Sequence, residues 1–104
     1  MSRTAFKILT ADQWMDMQRD GQFAGAPVDL VDGYIHMSTA DQLGETLARH
    51  FPGQRGLVIA EVNLNGFGDA LKWEPSRGDA LFPHLYAPLP LAAVTSTSIV
   101  DQPE

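Results

Sequence analysis

The sequence predicts an α+β domain in which a mixed, split β-sheet carries two early helices. Short apolar segments with strand-like alternation occur along the whole chain, and the two helical patterns both lie in its first half. Glycine and proline divide the remainder into short elements. A chain of 104 residues has the usual length of one domain. We therefore expect residues 1–104 to form a single domain.

The first two elements are a strand and a capped helix. Residues 6–9 alternate in the manner of a strand. Thr10 and Gln13 then have the spacing of a capping box, so a helix is predicted over residues 11–20. Gly21 follows the last helical residue, where a left-handed conformation commonly ends a helix.

A second strand and a second helix follow. The stretch that contains Gly25 and Pro27 is predicted to be irregular, and residues 33–38 are predicted to form a strand. Thr39 and Gln42 repeat the capping-box spacing, which predicts another helix start. The helix that follows has apolar residues at four-residue spacing, which makes one apolar stripe: Leu43, Leu47 and Phe51.

The second half of the chain is dominated by strands. Strands are predicted over residues 57–64, 70–74 and 94–100. The first of them opens with a continuous apolar run, which is typical of a central strand covered on both faces. Pro75 is expected to end its strand, residues 76–83 are rich in turn formers and are predicted to be a loop, and residues 84–86 return to the sheet.

Charge and composition exclude several function classes. The chain has 13 acidic and 7 basic residues, a net charge of −6 and no run of lysine or arginine. This excludes a groove that tracks an extended nucleic acid. Apolar runs are too short to cross a membrane, no signal peptide is visible, and the absence of cysteine excludes disulfides and thiolate sites. We expect a cytoplasmic protein.

The strand over residues 33–38 carries the first candidate site. Alternation directs Ile35 and Met37 to the core and three polar side chains to the opposite face: Tyr34, His36 and Ser38. The helix that begins after Thr39 presents free N–H groups, which favour an anion. The pattern predicts a nucleotide-like ligand beside this strand. The alternative interpretation is a half-exposed strand, with Thr39 acting only as a cap.

A second group of polar and aromatic side chains lies within fourteen residues: Trp73, Glu74, Arg77, His84 and Tyr86. The two outermost aromatic rings, Trp73 and Tyr86, have the faces needed to stack on a planar ligand. Glu74 is suited to stabilise positive charge, and Arg77 to pair with a phosphate. The alternative is structural: an ion pair joins Glu74 to Arg77, and Trp73 fills the core.

Metal chemistry is a further alternative, in which a hydrolase would use His36, His84 and Glu74 as ligands. Imidazole and carboxylate groups do bind zinc, but these residues lack the close local spacing of a zinc motif. We therefore predict that the protein holds no metal.

Three motifs together carry a resemblance that spans nearly the whole chain: Phe6-Lys7-Ile8-Leu9…Trp14, Asp32-Gly33-Tyr34-Ile35-His36-Met37-Ser38-Thr39, and Trp73-Glu74-Pro75-Ser76-Arg77-Gly78…Phe82-Pro83-His84-Leu85-Tyr86. They resemble a family of small bacterial proteins known as domain of unknown function 952. That family is similar in fold to the ADP-ribosyltransferases. The resemblance implies a split sheet that grips NAD in a cleft.

The resemblance also implies roles for single residues. The RNA 2′-phosphotransferases of that superfamily have a middle strand of the sequence His-Val-His-Leu-Ser, which residues 34–38 resemble. By this likeness His36 binds a ribose, Ser38 lies beside the ligand and Glu74 takes the later acidic position. Where the transferases have histidine or arginine on the first strand, this chain has Lys7. That departure makes ligand binding the firmer expectation and ribosyl transfer the weaker one.

The predicted function is therefore a cleft that binds NAD or a related nucleotide or phosphorylated ligand. If ribosyl transfer occurs, Glu74 and His36 are the catalytic residues. The ligand would also contact Tyr34, Ser38, Thr39, Trp73, Arg77, His84 and Tyr86. The alternative is a non-catalytic module that binds a small ligand or a protein partner.

Overall fold

A computed structural model describes residues 3–103, except for the side chain of Arg77. This part of the chain contains eight strands and three α-helices. The strands are β1 Thr4–Leu9, β2 Gln22–Phe23, β3 Ile35–His36, β4 Leu57–Asn63, β5 Leu71–Arg77, β6 Ala80–Leu85, β7 Leu89–Pro90 and β8 Val94–Val100. The helices are α1 Ala11–Asp20, α2 Pro27–Asp32 and α3 Ala40–His50. The α+β class is confirmed.

The described strands form three small sheets, with the orders β1-β4-β8, β3-β6-β5 and β2-β7. A bridge joins the first two: Phe6 N donates to Ser38 O at 2.7 Å, and Ser38 N donates to Phe6 O at 3.0 Å. Because the strands form separate small sheets and not one continuous sheet, the arrangement is split, as predicted. Every pairing among the described strands is antiparallel, whereas a mixed sheet was predicted.

Helix α1 has the bounds that its capping signals predict. Thr10 N donates to Gln13 Oε1 at 2.9 Å, and Gln13 N donates to Thr10 Oγ1 at 3.1 Å, so both halves of the capping box form. The helix ends at Gly21, whose φ of 79° is left-handed and whose N–H donates to Met17 O. These local signals alone were sufficient, since each involves residues within four positions of one another.

Strand β4 has apolar layers on both of its faces, as its continuous apolar run predicts. One layer is formed by α3, whose apolar stripe packs with Phe6 against a small cluster: Ile8, Leu57 and Ile59. The other is the main core, which joins the two larger sheets to α1: Ala5, Leu9, Met17, Phe23, Ile35, Met37, Val58, Ala60, Val62, Leu64, Leu85 and Leu89. Strand β1 also contributes to both layers, because Ile8 belongs to the small cluster and Ala5 and Leu9 belong to the main core.

The stretch predicted to be irregular contains β2 and the short helix α2. Pro27 occupies the first turn of α2, where its missing N–H costs no hydrogen bond. Gly33 ends the helix with a φ of 89° and so is not part of a strand. The strand predicted over residues 33–38 is accordingly shorter, and β3 covers Ile35–His36 alone.

The predicted loop over residues 76–83 is a β-hairpin that turns at Gly78, whose φ is 58°. Pro75 does not end its strand, because β5 lies at the edge of its sheet and a bulge follows the proline. Pro83 lies in β6 beyond the two residues that pair with β3, Leu85 and His84. Both prolines are thus at positions where a β-ladder tolerates them.

None of the helices in the part of the chain that the structure describes is long and apolar enough to cross a membrane.

The α1 cap gives a stability prediction. Replacing Thr10 with alanine removes the acceptor for Gln13 N, so the free energy of unfolding should fall by about 1 kcal/mol. The control is Gln18→Ala on the exposed side of the same helix, where alanine has at least equal helix propensity. Urea unfolding of the two variants checks this. Equal stability of Thr10→Ala and the wild type would contradict it.

Candidate functional site

A cavity of about 380 Å³ lies where β1, β3 and the β5–β6 hairpin meet α3. Its polar lining includes the side chains of Lys7, Asp29, His36, Ser38, Ser76 and His84. Apolar side chains, among them Phe6, Met37 and Phe82, complete it. The volume and the mixed lining are those of a small-molecule pocket. We refer to this cavity as the cleft.

The floor of the cleft holds a buried ion pair. Strand alternation directs Lys7 to the same face as Ala5 and Leu9, toward the main core, and Lys7 is only 6% exposed. Its Nζ donates to Asp29 Oδ2 at 2.9 Å and to the backbone oxygen of His36 at 3.0 Å. A buried ammonium needs a counterion, so the position of Asp29 is set by Lys7.

Asp29 is the most heavily hydrogen-bonded side chain of the site. Besides Lys7, its carboxylate accepts from the backbone N of Ala26 at 2.8 Å and of His36 at 3.1 Å, and it lies 2.6 Å from His36 Nδ1. Burial alone would raise the pKa of Asp29. The His36 hydrogen bond and the charge of Lys7 outweigh it and hold that pKa at about 2. For Lys7, burial outweighs the attraction of Asp29 and lowers the pKa.

His36 uses both of its ring nitrogens within this cluster. Nδ1 faces Asp29, and Nε2 lies 2.9 Å from Asp32 Oδ2, one helical turn further along α2. His36 therefore lines the cleft with both nitrogens already engaged. We call Lys7, Asp29, Asp32 and His36 the charge cluster.

A second set of contacts surrounds His84. Its ring stacks on Tyr34 with centroids 4.1 Å apart, and its Nδ1 lies 2.9 Å from Glu74 Oε1. The Tyr86 hydroxyl donates to the same oxygen at 2.7 Å. The Tyr86 and His84 hydrogen bonds lower the pKa of Glu74, and the bond to Glu74 raises the pKa of Tyr86 to about 12. Glu74 is therefore ionised and can only accept hydrogen bonds.

The other ring nitrogen of His84 is the exceptional atom of the site. Nδ1 is taken up by Glu74, so Nε2 is the ring nitrogen left for another partner. This atom is buried and has no hydrogen-bond partner among residues 3–103. A buried polar atom left unpaired costs about 1–3 kcal/mol. Because the ring lines the cleft, Nε2 is the group best placed to gain a bond from a bound molecule.

The predicted ligand contacts divide between two cavities. His36, Ser38 and His84 line the cleft. Tyr34 and Tyr86 instead line a second cavity of about 260 Å³, which shares Asp29 with the cleft. The Ser38 hydroxyl is 3.0 Å from that of Thr46 on α3, so it is held at the wall.

Three further predicted contacts, Trp73, Thr39 and Glu74, do not line the cleft. Trp73 packs against the main core, which is the structural alternative foreseen for it. Thr39 caps α3, where its N–H donates to Gln42 Oε1 at 3.0 Å and its hydroxyl to Asp41. Glu74 contacts the His84 ring, which itself lines the cleft. The side chain of Arg77 lies outside the described residues.

The sequence motifs gave no role to either aspartate of the charge cluster. Asp29 lies in the stretch predicted to be irregular, and Asp32 begins one of the three motifs without being assigned a role in it. One signal was present: Lys7 shares its strand face with Ala5 and Leu9. A lysine on an otherwise apolar face requires a buried acid somewhere in the fold, although the sequence does not say which.

His36, His84 and Glu74, which a metal-dependent hydrolase would use, do not form a metal site in the structure. Within residues 3–103 no three histidine, aspartate or glutamate side chains are arranged to hold a metal ion.

Comparisons with known proteins give a family and several similar solved structures. The profile of a family described as "Protein of unknown function (DUF952)" matches residues 8–97. A crystal structure of protein CC0527 from Caulobacter crescentus is similar, with a TM-score of 0.91 and 45% identity over 94% of this chain and 86% of that chain. The solution NMR structure of CC0527 has a TM-score of 0.85 and 44% identity over 96% and 86%. No curated protein matches the chain.

The pKa of Asp29 gives a pH prediction. Its value is about 2 in the folded protein, below the ordinary 3.8, so it adds stability above pH 4 that is lost as the pH falls toward 2. The shift is worth about 2 kcal/mol. Between pH 4 and pH 2.5, urea unfolding of the wild type should therefore lose more stability than that of Lys7→Met/Asp29→Asn. Parallel pH curves would contradict this assignment.

A double-mutant cycle tests the buried pair at neutral pH. Asp29→Asn leaves the Lys7 ammonium buried without its counterion, which should cost about 3–5 kcal/mol. Lys7→Met in the same chain removes the stranded charge, so the double variant should be more stable than Asp29→Asn alone. A double variant less stable than Asp29→Asn would show that the pair is not coupled as described.

Proposed function

Because the chain belongs to the family of proteins of unknown function DUF952, we propose a function from its cleft: it binds NAD or a related nucleotide. One observation carries the proposal, namely the buried Nε2 of His84 on the cleft wall, without a partner among the described residues. A ribose hydroxyl both donates and accepts hydrogen bonds, so it supplies the kind of partner that this ring nitrogen lacks. The resemblance of residues 34–38 to the ADP-ribosyltransferase middle strand supports the choice of NAD.

The size and lining of the cleft favour a nucleoside-sized group. A cavity of about 380 Å³ lies within the range of small-molecule pockets and is near its lower end. Hydroxyl groups of Ser38 and Ser76 lie on the wall with His84, and aromatic side chains such as Phe82 supply apolar area. A sugar with a planar base combines these two surface types. We place that part of the ligand inside.

The charges of the wall indicate where phosphates would lie. Lys7 and Asp29 both line the cleft and neutralise each other, so the interior suits an uncharged group. His50 also lines the cleft and is exposed, in the last turn of α3. We therefore propose that the nucleoside part lies on the His84 side and that phosphates extend toward the exposed rim.

The contacts support binding more strongly than ribosyl transfer. Lys7, at the first-strand position where the transferases have histidine or arginine, is committed to Asp29. Glu74 does not line the cleft and is bonded to His84 and Tyr86, so we propose that it orients His84 rather than stabilising charge on a sugar. His36 is likewise engaged on both nitrogens. These contacts favour the non-catalytic alternative for the ligand site.

A ligand screen tests the proposal. Thermal unfolding in the presence of NAD, AMP, adenosine and ribose 5-phosphate should show an increase in Tm with at least one of them, because a ligand of the folded state stabilises it. His84→Phe keeps an aromatic ring against Tyr34 but removes Nε2, so calorimetric titration should give about tenfold weaker binding.

The control for that variant is Ile35→Ala. It deletes a buried apolar side chain that does not line the cleft, and it should cost about 2–4 kcal/mol of stability while leaving affinity unchanged. A screen with no Tm increase for any of the four compounds would overturn nucleotide binding. Unchanged affinity in His84→Phe would overturn the placement of the ligand on Nε2.

A further inference from the structure

Helix α2 is attached to the body of the protein by charge rather than by apolar packing. Across Pro27–Asp32, which the structure describes in full, Asp29 is the one buried residue. The aliphatic side chains point outward: Val28, Leu30 and Val31 are 57%, 65% and 85% exposed. Their burial therefore contributes little to holding the helix. A six-residue helix also has little stability of its own.

The polar contacts of α2 converge on two residues of other strands. Asp29 binds Lys7 Nζ of β1 and both the backbone N and the ring of His36 of β3, while Asp32 binds the opposite side of the same ring. Glu74 and His84 lie beyond that ring, whereas Tyr34 donates its backbone N–H to Asp29 O of α2 at 3.2 Å. The helix is thus held by polar contacts with Lys7 and His36. Water can solvate the side chains of both partners once these contacts open.

Both ends of α2 have backbone conformations that glycine adopts readily. Gly25 precedes the helix with a φ of 133°, and Gly33 follows it with a φ of 89°. Other residues rarely adopt either value. Such positions at each end of a short element absorb the dihedral changes of a hinge motion.

The helix also lies between the two cavities. Ala26, Val28 and Asp29 line the cleft, while Asp29, Leu30 and Gly33 line the second cavity. Displacing α2 would withdraw Asp29 from both walls.

We propose that α2 is a hinged lid of the cleft, kept closed by the charge cluster, and that it opens while the rest of the fold stays intact. Opening exposes Lys7 and Asp29 to water together, so both ions regain hydration. In a variant that lacks one of the two, the other charge stays buried without its partner. The inference goes beyond ligand binding, since the motion belongs to the free protein.

Hydrogen exchange of the free protein, read by mass spectrometry, tests this. Amides of Leu30 and Gly33, which donate to Ala26 O and Asp29 O, should exchange through a local opening far faster than those of the central strand β4. Asp32→Asn removes the more exposed fastening and should speed exchange in the lid about two- to fivefold. Exchange in β4 should not change.

The matched control is Asp16→Asn, which removes a surface ion pair with Arg19 on α1 and should leave lid exchange unchanged. Lid amides that exchange together with β4 would overturn the proposal. So would an Asp32→Asn variant with unaltered lid exchange, or one in which β4 accelerates equally. No ligand is present in these experiments, so their outcome is independent of the nucleotide screen.

Discussion

The buried pair between Lys7 and Asp29 is the constraint on which the rest of the site depends. Lys7 is held by strand alternation on the core side of β1, and a buried ammonium must find an acid. Asp29 supplies it, and its remaining hydrogen bonds then fix the backbone of Ala26 and of His36. One carboxylate thereby positions the first strand, the lid helix and the strand that carries the cleft histidine. The site is assembled from three distant segments by one electrostatic requirement.

The two histidines of the cleft show how neighbours decide what one residue type does. His36 lies between two carboxylates, and both of its ring nitrogens are engaged in holding α2. His84 has a single acidic neighbour, Glu74, and its second nitrogen is left over. The antiparallel pairing of His36 with His84 brings the two ring centroids within 5.6 Å, so the contacts that hold α2 and the proposed ligand contact share one wall. Any bound molecule would therefore lie close to the groups that hold α2.

Sequence reasoning succeeded where signals are local. The caps at Thr10 and Gly21 and the apolar run of β4 each depend on neighbouring residues, and their elements have the predicted places. It failed where the answer depends on the sheet: Pro75 is permitted only because β5 is an edge strand, and strand order is not a local property. For the site, residue types pointed to His36 and His84, but the partner of Lys7 is set by a contact across 22 positions.

The edge strands β5 and β8 differ in how they would meet another chain. On β5 the proline and the bulge that follows it interrupt the row of backbone groups, which is how natural proteins protect an edge from strand addition. Strand β8 forms the opposite kind of edge: seven residues, Val94–Val100, no proline among them, and Ile99 75% exposed. Strand addition is therefore opposed along β5. At high protein concentration the risk of strand addition lies along β8, where a single inward charge would suffice to oppose it.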